Sequence, residues 1–324
     1  MNQTVQNLQQ PYKGILAADG TKGIIKRFED AGLSFTLELD KKYKELLFTT
    51  SGLEKYISGV ILNDTNIKTG LGEILKEKRI EVGIKVDEGL ESFNDNDKEE
   101  QITKGLVGLS QRLEEYKKLG ATFTKWRAVI KISDIYPSDA FLTETLSRMA
   151  SYAKLVQDHQ MTPIVEPEVL LDGNHTTTRC EEIMTKTLKK LFEILKNDNV
   201  DLGNVILKSS MVLPGKDSGV TATTLEVSNT TLRTFKNSVP NEIGGIVFLS
   251  GGQTADQATL NLNEIAKLNN DKKFGSWDLT FSFERALQEG VLSVWTGKDE
   301  NREKAQEVFL DRLQKVSKAR MGEL

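Results

Sequence analysis

Lys208, in the stretch NVILKSSM (204–211), limits the chemistry of this chain more than any other residue. The stretch reads as a short apolar strand that ends by presenting one ammonium group among small polar residues. Desolvating a charge is costly unless something compensates it. A lysine placed there is either paired or set to lose its proton and attack a carbonyl carbon. Four other apolar strands also carry polar or charged groups: VGIKVD (82–87), FTKWRAVIKI (123–132), PIVEPE (163–168) and IVFLSGG (246–252). Side chains alternate faces along a strand, so Lys125 and Arg127 share a face, as do Glu166 and Glu168. Inside a barrel mouth a cation pair and a carboxylate pair balance each other. Facing outward under helices they would be unpaired buried charges, which is costly.

Three further positions carry chemistry with a plainer alternative beside each. Lys85 closes its strand near Asp87 and is either a site cation or half of a surface ion pair. Asp19, which ends GILAAD, is either a site acid or the cap of the next helix. In FLSGGQTADQATLNL an apolar strand runs into Ser250, Gly251 and Gly252 just before a helix. Backbone amides of a glycine turn at a helix start form an anion site. Arg285, three residues past Ser282, would add a charged clamp. An amine nucleophile, carboxylates, extra cations and a phosphate cradle are the equipment for imine chemistry on a phosphorylated ketone or aldehyde.

The elements that must position these groups recur along the chain. Strands are expected near 14–19, 57–63, 82–86, 125–132, 162–169, 204–211, 244–252 and 276–282. Between them lie amphipathic helical patterns, including 104–120, 137–159, 176–197 and 254–269. Regular alternation implies a parallel sheet with crossover helices. Eight units rich in Val, Ile and Leu favour a closed (β/α)8 TIM barrel, an α/β fold in a single domain over 1–324. Residues 1–12 read as an N-terminal extension and 299–324 as a C-terminal helix. GILAADGTKG lacks the dinucleotide fingerprint.

Composition sets the frame. The chain has 324 residues, 38% hydrophobic and 28% charged, ordinary for a globular protein. Barrels of this kind routinely exceed 200 residues as one domain. With 43 basic and 47 acidic residues the net charge is -4, which leaves no footprint for nucleic acid. One cysteine, Cys180, cannot form an internal disulfide, which fits a reducing compartment. MNQTVQNLQQ is not a signal peptide, and no stretch is long and apolar enough for a membrane span. A cytoplasmic location with no membrane partner is expected. Two histidines, His159 and His175, do not make a zinc spacing with Cys180, so no metal and no cofactor is expected. His159 suits a helix C-terminus, and His175 lies in a loop where it could cap the next helix.

In order, GILAAD, GVIL, GIKVD, KWRAVIKI, PIVEPEVLLDGNH, ILK, MVLPG, FLSGGQ, LNLN and LTFSFERAL resemble the blocks of the class I, Schiff-base-forming fructose-bisphosphate aldolases. The resemblance runs from about residue 13 to about residue 318 and implies the same barrel. It implies reversible cleavage of fructose 1,6-bisphosphate to dihydroxyacetone phosphate and glyceraldehyde 3-phosphate through a lysine imine and enamine. By that resemblance Lys208 forms the imine and Glu166 shuttles protons with Glu168 beside it. Lys125 supplies positive charge, and Asp19 holds or deprotonates the hydroxyl whose ionisation drives cleavage. Ser250, Gly251, Gly252 and Arg285 hold the phosphate next to the ketone. Lys85, Arg127 and Thr21 lie toward the other phosphate. Members are commonly tetramers, so a homo-oligomer is expected.

The chain also departs from the family pattern. After AAD the family carries an acid and a Ser/Thr/Gly run. Here Gly20-Thr21-Lys22-Gly23 follows, one residue shorter, so Thr21 or Lys22 would make the distal contact. Ser209-Ser210 replaces Pro-Asn. Phe283-Glu284 replaces Tyr-Gly, which puts an acid next to the arginine clamp. Many animal members protonate the enamine with the help of a tyrosine in a long C-terminal tail, and that tail is not seen in this sequence, which runs to Leu324.

The rival readings are a transaldolase or other sugar-phosphate aldolase, a silent barrel that binds partners, and a metal-dependent lyase. Cleavage of fructose 1,6-bisphosphate should survive EDTA. Loss of activity in EDTA that zinc restores would favour the lyase instead.

Overall fold

A computed structural model describes residues 2–94 and 97–324. Ten strands follow in chain order: β1 Gly14–Ala17, β2 Ile57–Leu62, β3 Glu81–Lys85, β4 Leu90–Asn94 and β5 Asp97–Thr103, then β6 Phe123–Ile130, β7 Thr162–Val169, β8 Ile206–Ser209, β9 Gly245–Phe248 and β10 Leu279–Phe283. Eight of them close a parallel barrel in the order β1-β10-β9-β8-β7-β6-β3-β2. These are the eight expected strands, with ends shifted by a few residues. They are apolar on both faces because one face meets the helices and the other fills the barrel.

The expected helices also form. Those at Asp139–Asp158, Thr177–Asn197 and Ala255–Leu268 start at side-chain caps supplied by Ser138, Thr176 and Thr254. The helix Leu109–Lys118 is shorter than the expected 104–120. His159 is the C-cap of Asp139–Asp158, and its ring meets the Leu155 carbonyl (2.9 Å) and Ser110 Oγ (3.1 Å). Thr176, not His175, caps the helix that follows. His175 is buried, and burial holds its pKa below the usual imidazole value.

Two elements were not expected. The antiparallel hairpin β4–β5 stands between β3 and β6. Its buried Glu100 accepts the Ser138 amide (2.6 Å) and hydroxyl (2.8 Å), which ties the hairpin to a helix start. The second lies in the N-terminal extension, where Gln3–Leu8 is helical and belongs to the barrel. Its Leu8 joins Ile15, Ile61, Phe123, Ile164, Ile206 and Val247 in a buried apolar floor. At the other end of the chain, the helix Arg302–Met321 is anchored by buried Arg320. That guanidinium donates to the Gln9 carbonyl (2.7 Å) and to the carbonyls of Gln10, Lys13 and Leu279.

The floor positions the site. Two residues beyond Phe123, Ile164 and Ile206, on the same inward face, stand Lys125, Glu166 and Lys208. Two further on are Arg127, Glu168 and, above β1, Asp19. Truncating Phe123 to Ala should therefore lower denaturant stability by about 3–5 kcal/mol, because the floor cannot collapse around the space. A loss under ~1 kcal/mol in a urea titration would show that the floor is not packed as described.

Candidate active site

Four charged side chains, three from β6, β7 and β8 and one from the loop after β1, form one chain across the mouth. Lys208 Nζ lies 3.0 Å from Glu166 Oε1, Glu166 Oε2 lies 3.2 Å from Lys125 Nζ, and Lys125 Nζ lies 2.7 Å from Asp19 Oδ2. All four are at most 5% exposed. Charges this deep persist only when paired, and here each has an opposite charge beside it. Asp19 is a site acid and not a cap: the N-cap of the next helix is Thr21, which makes no side-chain cap bond. The contact of Lys125 with Glu166 Oε2 is off hydrogen-bonding geometry, and that oxygen has no hydrogen-bond partner among the described residues. Glu166 therefore retains an acceptor position in the mouth.

The electrostatics follow from this pairing. Burial alone would raise the Asp19 carboxyl, but Lys125, Lys208 and Lys85 outweigh it and hold the pKa below the usual aspartate value. Burial works the same way on Glu166, and Lys125, Lys208 and Arg127 again win. For Lys125, burial opposes the charge, while Asp19, Glu166 and Asp87 more than restore it. The Lys125 ammonium is thus a fixed cation between two carboxylates.

A second rank of pairs surrounds the first. Arg127 Nε donates to Glu168 Oε2. Lys85 sits 2.8 Å from Asp87 Oδ1 and donates to the Asp87 carbonyl at 2.9 Å. Any anion binding to Arg127 or Lys85 must share them with these acids. On the opposite side, Ser250, Gly251 and Gly252 follow β9 in a turn. Gly251 has φ 50°, which glycine adopts without strain. Arg285 Nη2 donates to the carbonyls of Gly251 (2.6 Å) and Gln253 (3.1 Å), so the guanidinium is held against that turn. Thr21 is exposed at the rim. The Lys22 side chain lies outside the described residues.

Other features had no expectation attached. The loops after β7 and β8 clamp each other through Gly215 N to His175 O (2.8 Å), Lys216 N to Leu171 O (2.8 Å) and Asp217 N to Gly173 O (2.9 Å). They flank the Lys208 strand. Glu284 faces the mouth and pairs with Arg27. The Phe283-Glu284 departure pointed to that acid, but nothing in the sequence pointed to its partner.

A family model for class I fructose-bisphosphate aldolase, "Glycolytic", matches residues 1–324. The chain belongs to the class I fructose-bisphosphate aldolases. It is 43% identical to the fructose-bisphosphate aldolase of Plasmodium falciparum, over 98% of this chain and 88% of that one. It is 42% identical to a probable fructose-bisphosphate aldolase class 1 of Xanthomonas campestris, over 99% and 97%. A solved structure of the Plasmodium falciparum aldolase superimposes with a TM-score of 0.94, at 42% identity over 99% of this chain and 93% of that one. The enzyme is accordingly a lyase that cleaves fructose 1,6-bisphosphate reversibly by the lysine Schiff-base route of its class. Its substrate is a phosphorylated sugar. No helix among the described residues is long and apolar enough to cross a membrane, and no His/Cys/Asp/Glu cluster among them could hold a metal ion.

Replacing Lys125 with Met should weaken the rise of stability with pH. In the parent, Asp19 and Glu166 have lowered pKa values, so their contribution is present above the unfolded carboxyl values near ~4 and is lost as pH falls through the folded ones. Without Lys125 the largest opponent of burial is gone and both folded values move up, so the variant gains less stability than the parent as pH rises. Melting temperatures measured from pH 4 to pH 8 should show the gap between parent and variant widening with pH. A gap independent of pH would refute the pairing.

Proposed function

We propose that Lys208 is the imine-forming lysine of this aldolase and that Glu166, Lys125 and Asp19 serve the same reacting carbons. The observation carrying this is the continuous Lys208–Glu166–Lys125–Asp19 chain on the barrel mouth. Glu166, 3.0 Å away, takes a proton from the Lys208 ammonium; the freed Nζ attacks the substrate ketone, and Glu166 returns the proton to expel the carbonyl oxygen as water. Glu168 holds Arg127 beside it. Asp19 removes the proton of the hydroxyl two carbons from the imine carbon. The intervening carbon–carbon bond then breaks, glyceraldehyde 3-phosphate leaves, and the electron pair enters the imine as an enamine. The Lys125 cation stabilises negative charge that develops on the substrate hydroxyl, a task suited to a pre-paired group that needs no reorganisation. Protonation of the enamine and hydrolysis release dihydroxyacetone phosphate and free Lys208.

The phosphate next to the ketone binds the Ser250–Gly251–Gly252 turn with Arg285. The far phosphate is met by Lys85, Arg127 and Thr21. The enzyme works as a homo-oligomer in the cytoplasm. An Arabidopsis thaliana relative, 41% identical over 96% of this chain, is named cytosolic.

Borohydride added with substrate should attach a triose to Lys208, read by peptide mass spectrometry, and Lys208→Met should abolish turnover. An adduct on another lysine, or near-normal cleavage by Lys208→Met, would move the nucleophile elsewhere. Glu166→Gln should lower kcat by about 10²–10⁴, the usual worth of a positioned proton-transfer group. A loss under about fivefold in steady-state kinetics would remove Glu166 from proton transfer.

A further inference from the structure

Glu284 occupies space that belongs to another residue. A Cβ built on Gly20 would lie 2.3 Å from Glu284 Oε1. The backbone at Gly20 is not left-handed, so what this glycine offers is room for the Glu284 carboxylate and not a special conformation. The family pattern has an acid after Asp19 and a small residue before the arginine clamp. In this chain the small residue is at 20 and the acid at 284, and the two meet in space.

Its partner is Arg27, on the helix Lys22–Asp30, with Nη2 2.7 Å from Glu284 Oε1. Arg27 is braced from behind. Its Nη1 donates to Gln288 Oε1 (3.2 Å), the Tyr43 hydroxyl donates to the same oxygen (3.2 Å), and Gln288 Nε2 donates to the Ala17 carbonyl (3.2 Å). The pair therefore rests against β1, two residues before Asp19. Its outer side is open, since the Glu284 side chain is 32% exposed. Burial raises the Glu284 carboxyl and Arg27 opposes that, while Asp19, Lys208 and Lys125 all act on it electrostatically. The next residue is Arg285, held against the Ser250–Gly252 turn. A carboxylate paired with a guanidinium thus stands one residue before the arginine of the glycine turn.

We propose that Glu284 is a specificity-determining residue that neutralises Arg27 and so weakens the attraction of the mouth for the doubly phosphorylated substrate. The proposal rests on the reading of Arg285 and the glycine turn as a phosphate cradle. Neither Glu284 nor Arg27 touches the reacting carbons in that reading, so their effect falls on substrate binding rather than on turnover.

The test is steady-state kinetics of fructose 1,6-bisphosphate cleavage on the full-length enzyme. Glu284→Gln keeps the shape and removes the charge. It should lower KM about threefold to tenfold, with kcat within about twofold, as expected for one partly exposed charge. Added salt should shrink the gain. The double variant Arg27→Gln/Glu284→Gln restores the parental net charge and should restore the parental KM. Should Glu284→Gln not fold, Glu284→Gly empties the same space and is read in the same way. An unchanged or raised KM in the single variant overturns the proposal, as does a gain that persists in the double variant. Arg285→Gln in the parent checks the cradle separately and should raise KM. If it does not, the cradle reading falls and the proposal with it, whereas failure of the Glu284 arm alone leaves the cradle standing.

Discussion

The structure depends on one ammonium group held between two carboxylates. Lys125 links Asp19, above β1, to Glu166, on β7, and Glu166 in turn reaches Lys208, on β8. Remove the cation and Asp19 loses its ion-pair partner, while Glu166 is left with Lys208 alone. Breaking such a pair costs about 3–5 kcal/mol, far more than an exposed ion pair contributes. The proposed mechanism uses the same arrangement: the carboxylate assigned as base stays ionised, and the cation assigned to developing negative charge is in place before substrate arrives.

The apolar floor and the charged mouth are consecutive layers of the same strands. Phe123, Ile164 and Ile206 close the barrel from below, and the next inward residues are Lys125, Glu166 and Lys208. The floor leaves little water beneath the charges, so their mutual attraction is not screened from that side. Catalytic equipment at the C-terminal ends of barrel strands is where this fold places it, and the reason here is local. Strand alternation carries each apolar floor residue to a polar one two positions later.

The sequence made much of this legible. Eight apolar runs with helical patterns between them are enough for the barrel, because both faces of each strand are buried. Parity was enough to place Lys125 with Arg127 and Glu166 with Glu168. The rest was hidden by distance along the chain. Leu8 completes a floor whose other members are spread to Val247, and a six-residue helix gives too short a pattern to reveal its packing partners. The strands of the hairpin β4–β5 are mostly polar or charged and lack the apolar alternation that signals a half-buried sheet. Arg27 and Glu284 are 257 residues apart. Nothing in either neighbourhood marks them as partners, although the exchange of a small residue and an acid between positions 20 and 284 was visible as two separate departures.

The most direct measurement of the central claim is a double-mutant cycle on Lys125 and Glu166, read as the rate of carbon–carbon cleavage. If the two act as one charge-coupled unit, Lys125→Met and Glu166→Gln together should cost far less than the product of their separate losses. Losses that multiply independently would mean that the two side chains serve separate steps and that the shared charge chain is not the basis of the site.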